Sequence, residues 1–197
     1  MRQVKNLIFS PHPDDELLGC LSFLTEPETV VVYVTSGGTP WKTGVKTASS
    51  SVRAAEATLL SKELGFCPIF LSLLDGGLLS NYRLVRDKIL ELVKIFQPQT
   101  VLVPWSGETH PDHLAVHLIG RELSRELFDA EKSVVVLGFE VWTFIPASES
   151  YVGHTRNVNL SRKKKLFREF YKSQIEVLDL MNTKLEKRGG IEVFEVL

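Results

Sequence analysis

Short apolar runs alternate with amphipathic segments along most of the chain, which predicts strands alternating with helices. The β-branched run Thr29–Thr35 and the apolar run Val4–Ser10, closed by two prolines, predict buried strands. Three further strands are predicted at Pro68–Leu73, Thr100–Val103 and Val134–Phe144. A last strand at Ile191–Val196 is expected at the edge of the sheet.

The segments between these strands carry apolar residues at helical spacing. They predict helices at Glu16–Leu24, Ala48–Leu64, Val85–Phe96 and Leu114–Phe128. One further long helix is expected after a Ser161 cap, with an apolar face of Phe167, Phe170, Tyr171, Leu178 and Met181. The Gly- and Thr-rich segment Ser36–Thr47 predicts a loop.

This alternation predicts a three-layer Rossmann-like α/β fold, a mostly parallel twisted sheet with helices on both faces. With 197 residues, 44% of them apolar, the chain fits one domain over residues 1–197. Such sheets bind ligands beyond the carboxyl ends of their strands, where the strand order reverses. Two segments at strand ends are unusually polar here, Pro11–Glu16 and Pro104–His113.

Charge and composition exclude several classes of protein. A net charge of −1 gives no basic excess for nucleic acid or an anionic membrane. No stretch reaches the roughly 18 apolar residues of a membrane span, and the first apolar run is too short for a signal peptide. The two cysteines, Cys20 and Cys67, are expected to be buried and reduced. We therefore expect a cytoplasmic protein whose partner is neither nucleic acid nor a membrane, which leaves a small molecule, and homo-oligomerisation stays open.

The first polar segment reads PHPDDE, with four ionisable side chains at residues 12 and 14–16. A solvated turn before a helix would explain the carboxylates, because acids favour helix N-termini. It would not explain His12 between two prolines, which restrict the backbone on both sides of the imidazole. Crowded carboxylates also repel one another unless a cation lies among them. The pattern favours a metal or catalytic site.

The second polar segment, VPWSGETHPDH, supplies His110, Asp112 and His113. One imidazole nitrogen from each segment plus a carboxylate would give three protein ligands and an open position for water, the pattern of catalytic zinc. Iron(II) is an alternative for two histidines and one carboxylate. By spacing alone His113 and His117 would also suit zinc, since they lie four positions apart on a predicted helix.

With these two motifs the chain resembles the PIG-L/LmbE-like family of zinc-dependent N-acetylglucosaminyl de-N-acetylases. The resemblance rests on PHPDDE at residues 11–16 and HPDH at residues 110–113, in the family's order and spacing. Arg53 with Glu56 and the segment KKKLFREFYKSQ ending at Gln174 support it. Glu108 departs from the family pattern, where an Asp or another polar residue often stands, and its role stays open.

The resemblance implies a hydrolase that removes an N-acetyl group from an amino sugar or its glycoconjugate. It implies metal ligation by His12, Asp15 and His113, and Asp14 as the general base. It also implies that His110, as an imidazolium oriented by Asp112, stabilises the oxyanion. His117 then lies outside the ligand set.

Other residues are candidates for contact with the substrate, and for Arg53 and Glu56 this is what the resemblance implies. Arg53 and Glu56, three positions apart on one helix, form either a surface ion pair or a substrate-side pair. Ser36 and Gly37 leave the second strand at the same sheet edge and are expected to line the pocket. Trp105 and Trp41 are candidates for stacking on a sugar ring. His154 and the run Lys163–Lys165 are expected to be solvated.

Two other functions fit the same residues. One is an amidase acting on another acylated amine, such as a thiol conjugate. The other is a non-catalytic module that binds a sugar or senses a metal on the same scaffold. A dinucleotide-binding enzyme is excluded, because the first strand-to-helix turn lacks GxGxxG.

Overall fold

A computed structural model describes residues 4–38, 48–129, 133–146 and 153–197. Within these ranges strands alternate with helices as far as the fifth strand. Seven strands form one sheet: β1 (Asn6–Ser10), β2 (Thr29–Thr35), β3 (Cys67–Leu73), β4 (Thr100–Pro104), β5 (Val135–Phe139), β6 (His154–Asn157) and β7 (Ile191–Val196).

The strand order is β3-β2-β1-β4-β5-β7-β6. The first five strands in this order pair in parallel, whereas β7 runs antiparallel to both of its neighbours. Beginning at β1, the chain adds β2 and β3 on one side and then returns to place β4 on the other. The strand order therefore reverses between β1 and β4, and this is where α/β folds bind ligands.

Helices cover both faces of the sheet. The described helices are α1 (Asp15–Leu24), α2 (Ser50–Leu64), α3 (Tyr82–Phe96), α4 (Pro111–Asp129), α5 (Leu160–Phe170) and α6 (Ile175–Arg188). Ile8 packs in a core with α1, α2, α5 and α6, whereas its neighbours Leu7 and Phe9 pack in a core with α3 and α4. This alternation follows from the two-residue period of a strand. The three-layer, mostly parallel α/β fold is confirmed.

The C-terminal part of the chain departs from the predictions at three points. Strand β5 ends at Phe139 rather than Phe144. The weakly apolar strand β6 was not predicted, and it takes the sheet edge that we expected β7 to occupy. The predicted long helix is two helices, α5 and α6, joined by a 3-10 turn at Lys172–Gln174.

Local hydrogen bonds explain where these helices begin and end. Asn159, not Ser161, caps α5, since its side chain accepts the Arg162 N–H. Helix α5 ends where the Ser173 N–H is taken by the Glu56 carboxylate of α2. The spacing of apolar residues predicted one continuous helix, because both helices present apolar residues to the same core.

Two expectations about individual side chains were wrong. Lys163 is buried and pairs with Glu192 at 2.6 Å, so it does not belong to a solvated face, whereas Lys165 is exposed. Cys67 is exposed, whereas Cys20 is buried as expected. Among the described helices, none is both long and apolar enough to span a bilayer.

Candidate metal centre

The two polar segments meet at the carboxyl ends of β1 and β4, which are adjacent in the sheet. The segment after β1 carries Pro11–Glu16 into the start of α1, and the segment after β4 leads into α4 at Pro111. Because parallel strands end at one edge of the sheet, their following loops converge. Residues about one hundred positions apart in the chain are therefore in contact.

Three side-chain atoms from these two segments form a compact triangle. His12 Nδ1 lies 3.2 Å from Asp15 Oδ2, and His113 Nε2 lies 3.1 Å from the same oxygen. The two imidazole nitrogens are 3.3 Å apart. Ligands about 2.0–2.1 Å from a tetrahedral zinc ion are separated by about 3.3–3.4 Å. The spacing and chemistry of these donors therefore fit a divalent cation.

The electrostatics of the triangle also suit a cation. His12, Asp15 and His113 are all buried. Burial disfavours the charged imidazolium of His113, but Asp15 and Glu108 raise its pKa to about 9. Burial disfavours the Asp15 carboxylate, but His113 and His12 lower its pKa below the usual range. Positive charge is thus stabilised between these groups, and a metal ion would supply it in place of a proton.

The second nitrogen of His12 contacts two carboxylates. His12 Nε2 lies 3.0 Å from Asp75 Oδ1 and 3.2 Å from Asp112 Oδ2. Donation of the Nε2 proton to them leaves Nδ1 unprotonated and facing Asp15 and His113. Carboxylates commonly fix the tautomer of a metal-binding histidine in this way. By distance, His12, Asp75 and Asp112 could form an alternative cation site.

The Asp112 carboxylate makes no hydrogen bond to His110 among the described residues, and the orienting role that the resemblance implied stays a prediction. The carboxylate accepts the backbone N–H groups of Gly76 at 2.7 Å and Leu78 at 3.0 Å, besides the contact with His12. These two amides belong to the loop after β3. Through these contacts Asp112 connects the segments that follow β1, β3 and β4.

His110 lies beside the triangle, with its ring centroid 4.8 Å from that of His12. Its Nδ1 accepts the backbone N–H of Asp112 at 3.2 Å. This nitrogen therefore carries no proton, and the ring is a neutral imidazole with a proton on Nε2. Burial and the charges of His12 and His113 lower the His110 pKa to about 4, which also disfavours the expected imidazolium. His110 could complete a third ligand set with His12 and His113.

Asp14 occupies the N-cap of α1 with φ 120°, a conformation that is rare outside glycine. Such strain persists where surrounding contacts hold it, often at functional sites. Here the Arg53 guanidinium contacts the Asp14 carboxylate at 3.0 Å and the Pro13 carbonyl at 2.5 Å. Burial raises the Asp14 pKa to about 7, and Arg53 opposes this rise. A carboxyl with this pKa is suited to exchanging protons near neutral pH.

The proposed Arg53–Glu56 pair does not form. Arg53 points to Asp14, whereas the Glu56 carboxylate accepts the Ser173 backbone N–H at 2.7 Å and its hydroxyl at 2.5 Å. Gly37 packs against Arg53, since a Cβ on Gly37 would overlap the guanidinium. Ser36 is half-buried beside it. Arg53 and Gly37 thus lie next to Asp14, the candidate base. Glu56 instead connects α2 to the turn between α5 and α6.

Trp105 offers little surface for stacking on a sugar, because it is only 7% exposed. Its indole N–H donates to Thr143 Oγ1 at 2.7 Å and to Glu108 Oε1 at 3.1 Å. Trp41 lies outside the described residues. His117 donates its Nδ1 proton to the Pro104 carbonyl at 3.0 Å, as a structural histidine does.

His154 lies on β6 and is exposed, as expected.

Two residues at the site were missed. Asp75 lies two positions after the end of β3 in the sequence segment LLDGG, so the rule that ligands bind beyond strand ends could have found it. Glu16, within PHPDDE, accepts the Asp14 backbone N–H at 3.0 Å and a hydrogen bond from the Tyr171 hydroxyl. Because Tyr171 is distant in sequence, no local pattern indicated this contact.

The fold and the centre define a class: an α/β protein with a His/Asp cluster at the switch point of its sheet. The family model of PIG-L, GlcNAc-PI de-N-acetylase, matches residues 7–124, which is more than half of the chain. The chain belongs to the PIG-L family. No curated protein sequence matches the chain significantly.

Several solved structures share the fold. N,N'-diacetylchitobiose deacetylase from Pyrococcus horikoshii aligns with a TM-score of 0.74 and 20% identity, covering 100% of this chain and 84% of that one. A zinc-inhibited form of teicoplanin deacetylase Orf2 aligns with a TM-score of 0.69 and 16% identity, covering 98% and 96%. The 4-carboxy-2-hydroxymuconate hydratase GalB from Pseudomonas putida aligns with a TM-score of 0.57 and 16% identity, covering 98% and 95%. At these identities the likeness establishes the fold alone.

Proposed function

We propose that this protein is a zinc-dependent hydrolase that removes the acetyl group from an N-acetylated amino sugar or its glycoconjugate. The observation that carries the proposal is the convergence of His12, Asp15 and His113 donor atoms within 3.3 Å, next to Asp14. Membership of the PIG-L family and the likeness to two deacetylases support it. Iron(II) is the alternative metal. We further propose one domain over residues 1–197 and a cytoplasmic location.

Each residue around the triangle has a different role in amide hydrolysis. A divalent ion held there would polarise the acetyl carbonyl and lower the pKa of the attacking water. Asp14 accepts the proton of that water and returns it to the amine nitrogen as the C–N bond breaks. His110, protonated on Nε2, donates a hydrogen bond to the carbonyl oxygen as negative charge develops on it. Arg53 holds the Asp14 carboxylate in place for both transfers.

The test is the release of acetate and free amine from a panel of substrates by purified protein. The protein is stripped of metal with a chelator and reloaded with one equivalent of zinc or iron(II), because one of the structural neighbours has a zinc-inhibited form. The panel contains N-acetylglucosamine, N,N'-diacetylchitobiose, an N-acetylated glycopeptide and an N-acetyl thiol conjugate. We expect acetate from a sugar substrate only after metal is added.

The other outcomes separate the alternatives. Turnover of the thiol conjugate alone would favour the amidase, and sugar binding without acetate release would favour a non-catalytic module. His113→Ala serves as the metal control, since it removes one corner of the triangle. We expect it to lose both metal and activity, and metal retained at wild-type affinity would contradict the ligand assignment.

A further inference from the structure

Glu108 is a buried carboxylate whose role the sequence left open, and its two oxygens face different partners. Oε1 accepts the backbone N–H groups of Val141 at 2.7 Å and Trp142 at 3.0 Å, among others. Oε2 lies 3.7 Å from His113 Nδ1. One side chain thus stands between a proposed metal ligand and the segment that follows β5.

The backbone contacts explain why β5 ends early. The N–H groups of Val141, Trp142 and Thr143 all point at the Glu108 carboxylate. They are therefore not available to extend the strand, although the sequence there is apolar enough to predict it. A carboxylate that accepts several N–H groups is stabilised in its charged form. Burial raises the pKa of Glu108, but His113 and the Val141 N–H lower it by more, so the pKa lies below its usual value.

The other side of Glu108 meets an unsatisfied group. His113 Nδ1 is buried and makes no hydrogen bond to any residue in the described ranges. Its separation from Glu108 Oε2 is longer than a hydrogen bond, yet both side chains are completely buried. When Nε2 of a histidine binds a metal, Nδ1 carries the proton and usually donates it to a carboxylate or carbonyl. Glu108 is the carboxylate placed to receive it.

We propose that Glu108 is a positioning residue that orients His113 for metal binding while its other oxygen anchors residues 141–143. The inference rests on the proposed metal site. His113 would then be oriented by a carboxylate in the same way as His12, whose Nε2 contacts the carboxylates of Asp112 and Asp75. His113 would then bind the metal through Nε2 with its proton fixed on Nδ1.

The test uses Glu108→Gln, which removes the charge and keeps an amide oxygen to face the backbone N–H groups. Its NH2 group would face His113 Nδ1 and could not accept the Nδ1 proton. We expect zinc affinity, measured by competition with a chromophoric chelator, to fall about 10- to 100-fold. The thermal midpoint of the metal-free protein should change little.

The matched control is Thr143→Val in the anchored segment. The Thr143 hydroxyl accepts the Trp105 N–H and donates to the Gly107 carbonyl, and neither contact involves His113. We expect this variant to lower the thermal midpoint and to leave zinc affinity at the wild-type value. Wild-type affinity in Glu108→Gln, or an equal loss of affinity in both variants, would overturn the inference.

A measurement on the wild-type protein covers the case in which Glu108→Gln does not fold. Nitrogen-15 NMR of the zinc-loaded protein should show His113 with a proton on Nδ1 and the metal on Nε2. The opposite assignment would overturn the inference. If the wild-type protein bound neither zinc nor iron(II), the proposed metal dependence itself would fail, and this outcome is distinct from the other two.

Discussion

The loop after β1 and the loop after β4 both contribute to the candidate metal centre, but they are held in place in opposite ways. Side chains from distant parts of the chain reach into the first loop: Arg53 contacts Asp14, and Tyr171 contacts Glu16. In the second loop, Asp112 and Glu108 reach outward and accept backbone N–H groups of neighbouring segments. In these contacts the supporting side chains come from outside the first loop, whereas the second loop supplies the side chains itself.

This difference predicts how substitutions will act. In the first loop the chemical groups and their supports are separate residues, so a support can be removed while the metal ligands stay intact. In the second loop one carboxylate contacts both a proposed ligand and the surrounding backbone. Removing that carboxylate together with its backbone contacts should therefore affect metal binding and local structure at once, whereas substitutions around the first loop should separate turnover, positioning and stability.

The largest effect on turnover is expected for Asp14→Asn. This change keeps the shape of the side chain but removes its ability to accept a proton, so kcat should fall about 10²- to 10⁴-fold. Zinc content, measured on the same purified sample, should remain at the wild-type level because Asp14 is outside the triangle. Unchanged turnover would refute the assignment of Asp14 as the base, and loss of zinc would place it among the ligands.

An intermediate effect is expected for Arg53→Met, which removes the group that holds the Asp14 carboxylate. Misplacement of a reacting group by about 1 Å costs on the order of 10²-fold, and we expect a loss of up to this size in kcat with little change in KM. Glu56→Gln is the matched control on the same helix, since Glu56 contacts Ser173 instead. A rise in KM with constant kcat would instead support the substrate contact that the family resemblance implied.

The smallest effect on turnover is expected for Tyr171→Phe, which removes the hydroxyl that donates to buried Glu16. The free energy of unfolding, measured with urea on the metal-free protein, should fall by about 1–3 kcal/mol. Tyr82→Phe is the matched control, because it removes a tyrosine hydroxyl that donates to a carboxylate, Glu122, outside the Glu16 cluster. A loss of similar size in both variants would show that Glu16 gains no specific support from Tyr171.

The fold could be predicted as far as β5 because local periodicity and tertiary burial agree there. Strand β2 was predicted with its observed bounds, since a β-branched run favours a buried strand wherever it lies. Prediction failed beyond β5, where long-range contacts override the local pattern. Glu108 accepts backbone N–H groups just beyond Phe139, where β5 ends. Glu56 accepts the Ser173 N–H, which would otherwise be available to continue α5.

The sequence by itself determined which chemical groups the centre contains and that they follow strand ends, because residue type and hydrophobic period are local properties. Only the tertiary structure decided which groups meet. Arg53 contacts Asp14 rather than Glu56, and the Asp112 carboxylate contacts His12 rather than His110. These pairings depend on distances between loops that no local pattern encodes, and the order of the strands in the sheet sets those distances.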